Sequence, residues 1–250
     1  MKERIIETRE DKKLAAYLWE PAEGDKYVLV ICHGFRGAKE NGGKVFAFAD
    51  KLKKVGVGVV AFDFRGSGKS EGDFAAVTLS RQGEDLQAVI DHVDQAYGLP
   101  VIVLGRSLGG SSVLVGASGD ERAAGYIFWS TPVFMHQAFA TIMGDDYHRL
   151  QGGETIIFRD DGGQFELWPD LIKDFDRHDM DRYIKNIGAR PALIVQSRDD
   201  DAVSPDNGEY LHRLLPNSRL HMFDQAGHRF LALTAEREDL TIEWLRDNFL

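Results

Sequence analysis

Gly105-Arg106-Ser107-Leu108-Gly109 places a hydroxyl between two glycines, and the flanking residues make the pattern informative. The apolar run Val101-Ile102-Val103-Leu104 leads in, and the small residues Gly109, Gly110, Ser111 and Ser112 lead out. Strand, tight turn and helix are therefore expected in that order, the helix over residues 108–117. Such a turn strains the serine backbone, and glycines two residues away on either side let neighbouring chain pass without a Cβ clash. The helix amino terminus behind Ser107 offers backbone N–H groups to a developing negative charge. Without partners the same serine would merely cap a helix after a buried strand.

A serine hydroxyl is a poor nucleophile at neutral pH and needs a base held by a third group. The order serine, acid, histidine along the chain leaves His212, His221 and His228 of the eight histidines as bases. His212 lies in an expected helix over residues 207–215, and His221 inside an expected strand over 219–223, where it reads as structural. His228 lies in the loop Gln225-Ala226-Gly227-His228 just past that strand. Sheets of alternating strands and helices carry their sites at strand carboxyl ends, so His228 is the expected base. The acid is expected after the strand 192–196, in Ser197-Arg198-Asp199-Asp200-Asp201. Three adjacent carboxylates compete there, and charge does not choose among them.

These loops need a scaffold, and the hydropathy pattern supplies one. Alternating segments around residues 5–8 and 14–19 suggest an antiparallel hairpin. Continuous apolar runs at 27–32, 57–62, 101–104, 126–129 and 192–196 read as strands buried on both faces. Helical spacing of Val45, Phe48, Ala49 and Leu52, and of Leu86, Val89, Ile90 and Val93, separates them. The class is α/β, with a mostly parallel sheet covered by helices on both sides. Residues 131–188 break the rhythm: they hold no clean buried strand, an acidic Gly-rich patch (Gly152-Gly153, Asp160-Asp161-Gly162-Gly163) and aromatics from Phe134 to Tyr183. A segment of that length is too long for one loop and reads as an inserted cap of short elements. Most of its aromatics are expected to form the cap's own small core, with a few lining a pocket.

The 250 residues suit one α/β domain with an insertion, and 43% hydrophobic with 28% charged residues excludes disordered and low-complexity classes. A net charge of −10 disfavours nucleic acid and anionic membranes as partners. The single cysteine, Cys32, permits no intrachain disulfide and reads as strand packing. The amino terminus lacks a signal-like apolar stretch, and no run reaches a membrane span, so a cytoplasmic location is expected. Gly66-Ser67-Gly68-Lys69-Ser70 lacks phosphate-loop spacing and reads as a turn positioning Asp63 and Arg65. Arg106 reads as a structural side chain in a local salt bridge rather than a receptor for a substrate carboxylate. Asp145, Asp146, Asp160 and Asp161 read as solvated, so no metal is expected.

Several motifs together resemble the α/β-hydrolase superfamily over essentially the whole chain. His33-Gly34-Phe35 resembles its H-G-x oxyanion loop, Asp63 to Ser70 its D-x-R-G-x-G-x-S turn, Gly105 to Gly109 its nucleophile elbow, and Gly227-His228 its histidine loop. The family's acid loop reads G-x-x-D-x-x-V; here Ser197 stands for the glycine and Val203 falls three places after Asp200. The resemblance therefore implies Asp200 as the acid, with Asp201 in reserve. It implies an α/β-hydrolase fold with core 1–130 and 189–250 and a cap at about 131–188. It further implies an oxyanion hole from the N–H groups of Phe35 and Leu108, with a Ser107, His228, Asp200 triad needing no cofactor. Size and insertion resemble bacterial cinnamoyl/feruloyl esterases and monoacylglycerol-lipase-like carboxylesterases, although Arg106 and Leu108 replace the His and Gln common at that elbow. The implied partner is a small-molecule ester, short-chain or aryl, cleaved through an acyl-enzyme; a homodimer is allowed. Thioesterase, monoacylglycerol lipase, small-peptide hydrolase and a non-catalytic ligand-binding protein of this fold are the alternatives.

Overall fold

The chain opens with the expected antiparallel hairpin of β1 (Lys2–Glu7) and β2 (Lys13–Trp19), although residues 14–19 are buried throughout rather than alternating. This computed structural model describes residues 1–160 and 163–250. The apolar runs that follow become β3 (Tyr27–Cys32), β4 (Val57–Phe62), β5 (Val101–Arg106) and β6 (Ala123–Trp129). All six residues of β4 are buried, which only a strand sandwiched between helical layers achieves. Between them run α1 (Lys44–Lys54), α2 (Leu79–Tyr97) and α3 (Leu108–Ala117). Thr78 caps α2 by accepting from Arg81 N, and Gly98 ends it in the left-handed conformation.

The insertion comprises α4 (Met135–Met143), α5 (Asp145–Gln151), β7 (Ile156–Asp160), β8 (Gly163–Leu167), α6 (Asp170–Phe175) and α7 (Met180–Ile187). Its two strands pair only with each other. Asp161 and Gly162 of the acidic patch lie outside the described residues. Asp145 and Asp146 sit in the first turn of α5, where carboxylates oppose the helix dipole, and Asp146 pairs with Arg149 at 2.8 Å. Phe139, Tyr147, Phe158 and Phe175 are buried, continuous with the core beneath α2 and α3. Asp174 ties the insertion to α2: it accepts from Ser80 N at 2.9 Å and Ser80 Oγ at 2.7 Å, with His178 Nε2 at 3.1 Å.

The chain closes with β9 (Ala192–Ser197), α8 (Asp206–Leu214), β10 (Ser218–Phe223) and α9 (Thr234–Phe249). The sheet order is β1-β2-β4-β3-β5-β6-β9-β10, parallel from β4 onward. Side chains alternate between two cores: Val101 and Val103 of β5 face the layer of α2 and α3, and Ile102 and Leu104 face α1 and α9. From β3 the chain goes outward to β4, then returns to β5 on the other side. That reversal makes the carboxyl ends of β3 and β5 adjacent, the place where such sheets hold ligands. The turn after β4 is structural as expected: Asp63 accepts from Lys39 N (2.6 Å), Lys39 Nζ (2.6 Å) and Lys69 N (2.9 Å), while Arg65 is held by Asp85.

Candidate active site

Ser107 occupies the corner between β5 and α3 with φ 51° and ψ −128°, a conformation that side-chain-bearing residues avoid. Two backbone bonds hold it there: its N–H donates to Trp129 O and its carbonyl accepts from Gly110 N, both at 2.8 Å. The glycines of the motif are steric requirements. A Cβ on Gly105 would lie 2.4 Å from Gly110 Cα, and one on Gly109 would lie 2.4 Å from His33 O. The start of α3 thus packs directly on the end of β3.

The loops after β9 and β10 bring the other groups to this corner. Ser107 Oγ lies 3.1 Å from His228 Nε2, and His228 Nδ1 lies 2.9 Å from Asp200 Oδ2 and 3.0 Å from Oδ1. Asp200 is 7% exposed and fully engaged. Its Oδ1 accepts from Ala202 N at 3.0 Å and Val203 N at 2.8 Å, and its Oδ2 from Gln196 Nε2 at 3.1 Å. These donors fix its orientation toward the imidazole. An Nδ1–H pointing at Asp200 leaves Nε2 as the acceptor facing the serine.

The three competing carboxylates are separated by direction. Asp201 is exposed, with no hydrogen bond or ion pair among the described residues. Asp199 points the other way, accepting from Ser197 Oγ at 2.5 Å, Ala226 N at 3.1 Å and Gly227 N at 2.8 Å. The bond from the Ser197 hydroxyl, then that from Gly227 N–H, hold its carboxyl below the ordinary range. Asp199 therefore tethers the histidine loop, a role that the bare run of aspartates did not signal. Of the other candidate bases, His212 bonds Ser218 Oγ at 2.8 Å on α8, and His221 packs against Phe223 within β10.

The loop after β3 reaches the serine from the other side. A Cβ on Gly34 would fall 3.1 Å from Ser107 Cβ, so this backbone lies against the nucleophile. His33 fastens it: Nδ1–H donates to Gly34 O at 2.9 Å, while Nε2 accepts from Phe64 N at 3.1 Å. Burial pushes His33 below the usual imidazole range and keeps this neutral tautomer, against the opposing pull of the Gly34 carbonyl and Asp63. Among the described residues the N–H groups of Phe35 and Leu108 have no acceptor, so both are free to donate. The Phe35 ring packs with Phe74, Phe139 and Phe165 at centroid distances of 5.4, 5.4 and 5.9 Å.

Arg106 departs from the sequence expectation. No carboxylate among the described residues lies within ion-pair reach, and its side chain has no hydrogen-bond partner there. Cys32 is fully buried, and burial pushes its thiol up. Among the described residues no group of three or more His, Cys, Asp or Glu side chains is placed to hold a metal ion. Nor is any helix there long and apolar enough to cross a membrane.

Known proteins with these features are recognisable in both sequence and structure. Residues 24–150 match the Hydrolase_4 family, described as serine aminopeptidase, S33. The chain is 33% identical over 122 residues to the quorum-quenching protein AidA of Acinetobacter baumannii, covering 47% of this chain and 40% of that protein. It is 31% identical over 128 residues to human monoglyceride lipase, covering 49% and 41%. The matched segment thus spans about two-fifths of the length of these curated relatives. In structure it is similar to Est1E of Butyrivibrio proteoclasticus with ferulic acid bound, at TM-score 0.87, 22% identity and 98% coverage of both chains. It is also similar to the esterase Pf2001 of Pyrococcus furiosus, at TM-score 0.76, 20% identity and coverage of 100% and 91%. At those identities the structural likeness is one of fold.

Proposed function

We propose that this chain, which belongs to the Hydrolase_4 (serine aminopeptidase, S33) family of α/β-hydrolases, hydrolyses carboxylic esters through an acyl-enzyme on Ser107. One observation carries the reading: the continuous hydrogen-bonded line from Ser107 Oγ to His228 at 3.1 Å and on to Asp200 at 2.9 Å. Ser107 Oγ attacks the ester carbonyl while His228 Nε2 takes its proton, and Asp200 holds the tautomer and balances the imidazolium. The oxyanion receives the free N–H groups of Phe35 and Leu108, each worth roughly 3 kcal/mol in the transition state. The tetrahedral adduct collapses as His228 protonates the departing alcohol, leaving the acyl group on Ser107. Water, deprotonated by His228, then repeats the attack; the acid leaves and Ser107 Oγ regains its proton. No step calls on a cofactor. Residues 131–188 act as a cap over this site.

The finer substrate class is short-chain or aryl esters. The aromatic rings around Phe35, beside the nucleophile loop, support an acyl group that is apolar and partly planar. The likeness to a structure with ferulic acid bound and to monoglyceride lipase points the same way. The test is initial rates on p-nitrophenyl acetate, butyrate and octanoate and on methyl ferulate, for the wild type and Ser107→Ala. Loss of about 10⁴-fold or more in the variant is expected. Equal rates in both proteins would refute Ser107 as nucleophile, and rates confined to a matched thioester would replace ester by thioester chemistry.

A further inference from the structure

On the face of the sheet carrying α1 and α9, a chamber of about 320 Å³ lies behind the oxyanion loop. Gly34, Lys44, Val45, Arg106, Trp129 and Glu238 are among its walls, while neither Ser107 nor His228 is. Gly34 lies where chamber and nucleophile meet: a Cβ at this position would lie 3.1 Å from Ser107 Cβ and 3.6 Å from Arg106 Nη1.

The chamber's charge balance is unusual. Arg106 is half-buried without a partner, as described above. Arg237, in α9 next to Glu238, is 2% exposed, and its Nε and Nη1 have no hydrogen-bond acceptor. Its guanidinium stacks at 3.9 Å on Trp129 and at 5.0 Å on Phe230. Burial, then the charge of Arg106, push it down to about 9, against the pull of Glu238. Stacking offsets part of the cost of desolvating a guanidinium but leaves its N–H fork unsatisfied. Lys44 adds a third cation, bonded only to the neutral Thr234 hydroxyl at 3.1 Å. The opposing carboxylate, Glu238, is engaged by Lys51 at 3.2 Å, and the other lysine in the wall, Lys39, is taken up by Asp63 and Glu40. Lys44 and Val45 also open α1, but their backbone N–H groups already donate to Asn41 O and Glu40 O, so the donors left for a ligand here are side chains. Arg106 and Lys44 thus place two cations without a carboxylate partner in the wall of one recess, with Arg237 behind it.

A buried charge with no partner costs several kcal/mol, and native interiors leave such groups unpaired only where water or an ion completes them. We propose that this chamber binds a free small oxyanion of the phosphate or carboxylate type, held by the side chains of Arg106 and Lys44, with Arg237 reinforcing the charge behind Trp129. The anion is a separate ligand and not the reacting ester's own charge, because neither Ser107 nor His228 lines the chamber.

The test uses the intact protein and inorganic phosphate, titrated calorimetrically with sodium chloride compensating ionic strength. Saturable binding of one phosphate per chain is expected, weakened about tenfold or more in Arg106→Met, as for a lost charge-assisted contact, and about threefold in Arg237→Met, whose charge acts from behind Trp129. Circular dichroism checks the fold of each; if Arg237→Met does not fold, Arg106→Met decides alone. Phosphate affinity is expected to be unchanged in protein labelled on Ser107 by a phosphonate, which fills the catalytic cleft instead. Absence of saturable binding, affinity unchanged in the methionine variants, or loss of binding on labelling would each overturn the proposal. The calorimetric readout needs no turnover, so it stands or falls separately from the ester-hydrolase reading.

Discussion

Replacing Asp200 by Asn tests the acid assignment at the cost of one oxygen. The carboxylate now accepts from Ala202 N and Val203 N on Oδ1 and from Gln196 Nε2 on Oδ2, besides His228 Nδ1. The two backbone donors are immovable and will retain the amide oxygen. The new NH₂ then faces His228 and Gln196, whose own amide is pinned by its bond to Val203 O at 2.9 Å. Donor meets donor unless His228 shifts its proton to Nε2, and that tautomer cannot accept from Ser107. The expected loss in kcat is about 10⁴-fold, which at 1.36 kcal/mol per decade is about 5 kcal/mol of transition-state stabilisation. The clash with Gln196 should lower folding stability by about 1–3 kcal/mol. The assay is p-nitrophenyl butyrate hydrolysis at neutral pH, with Asp199→Ala and Asp201→Asn alongside. Removing the Asp199 carboxylate frees Gly227 N and leaves Ala226 N held by Ser197 Oγ alone, so the histidine is misplaced and the rate falls by about ten- to a hundredfold. Asp201→Asn should stay within about twofold, as for an exposed side chain without partners. In a Ser107→Ala background Asp200→Asn should cost almost nothing further, because the groups act as one unit. An Asp201 variant losing as much as the Asp200 variant, or Asp200→Asn retaining more than about a tenth of the activity, would refute this reasoning.

Gly109→Ala places a methyl 2.4 Å from His33 O, so the elbow and oxyanion loop must separate; a loss of about 1–3 kcal/mol in urea unfolding is expected, with kcat falling too. Phe35→Ala keeps the backbone donor and removes the ring, so KM for aryl esters should rise by about tenfold or more with kcat little changed. Asp174→Ala removes the acceptor of Ser80 N and two of the bonds that join Ser80 Oγ and His178 Nε2 to the insertion, and should cost about 2–3 kcal/mol by chemical denaturation. Burial raises the Asp174 carboxyl, but the bonds from His178 and Ser80 outweigh it and leave it below the ordinary range. A carboxyl depressed in the folded state stabilises above its unfolded pKa, so this contribution is complete above about pH 5 and lost as pH falls below about 4. The Asp174→Ala penalty should therefore shrink in acid when unfolding is measured across that window.

Much of the scaffold was legible because its signals are local. Apolar runs such as Val57–Phe62 can hide only between two helical layers; residues 14–19, expected to alternate, are instead buried throughout, because β2 pairs with β4 as well as with β1. The elbow was legible for the same reason: strand, serine and glycines are contiguous, and their sterics hold whatever the rest of the chain does. The hairpin of β7 and β8 was not, since its strands carry polar residues on one side and pair with nothing in the main sheet. Helix α9 gave no clear helical stripe, because Arg237 and Glu238 are buried on it beside Trp244 and Leu245.

Residue types and chain order by themselves determined that a serine, a histidine and one of three aspartates could meet at the carboxyl ends of parallel strands. Which aspartate is a matter of direction, and direction comes from contacts distant in sequence. Asp200 is turned inward by Gln196 and the Val203 backbone, Asp199 is drawn across to Ala226 and Gly227 of another loop, and Asp201 is left to solvent. The unpaired guanidiniums of Arg106 and Arg237 were equally hidden. An arginine's cost or use depends on whether water or a carboxylate reaches it, and for Arg237 only the packing of α9 against Trp129 decides that neither does.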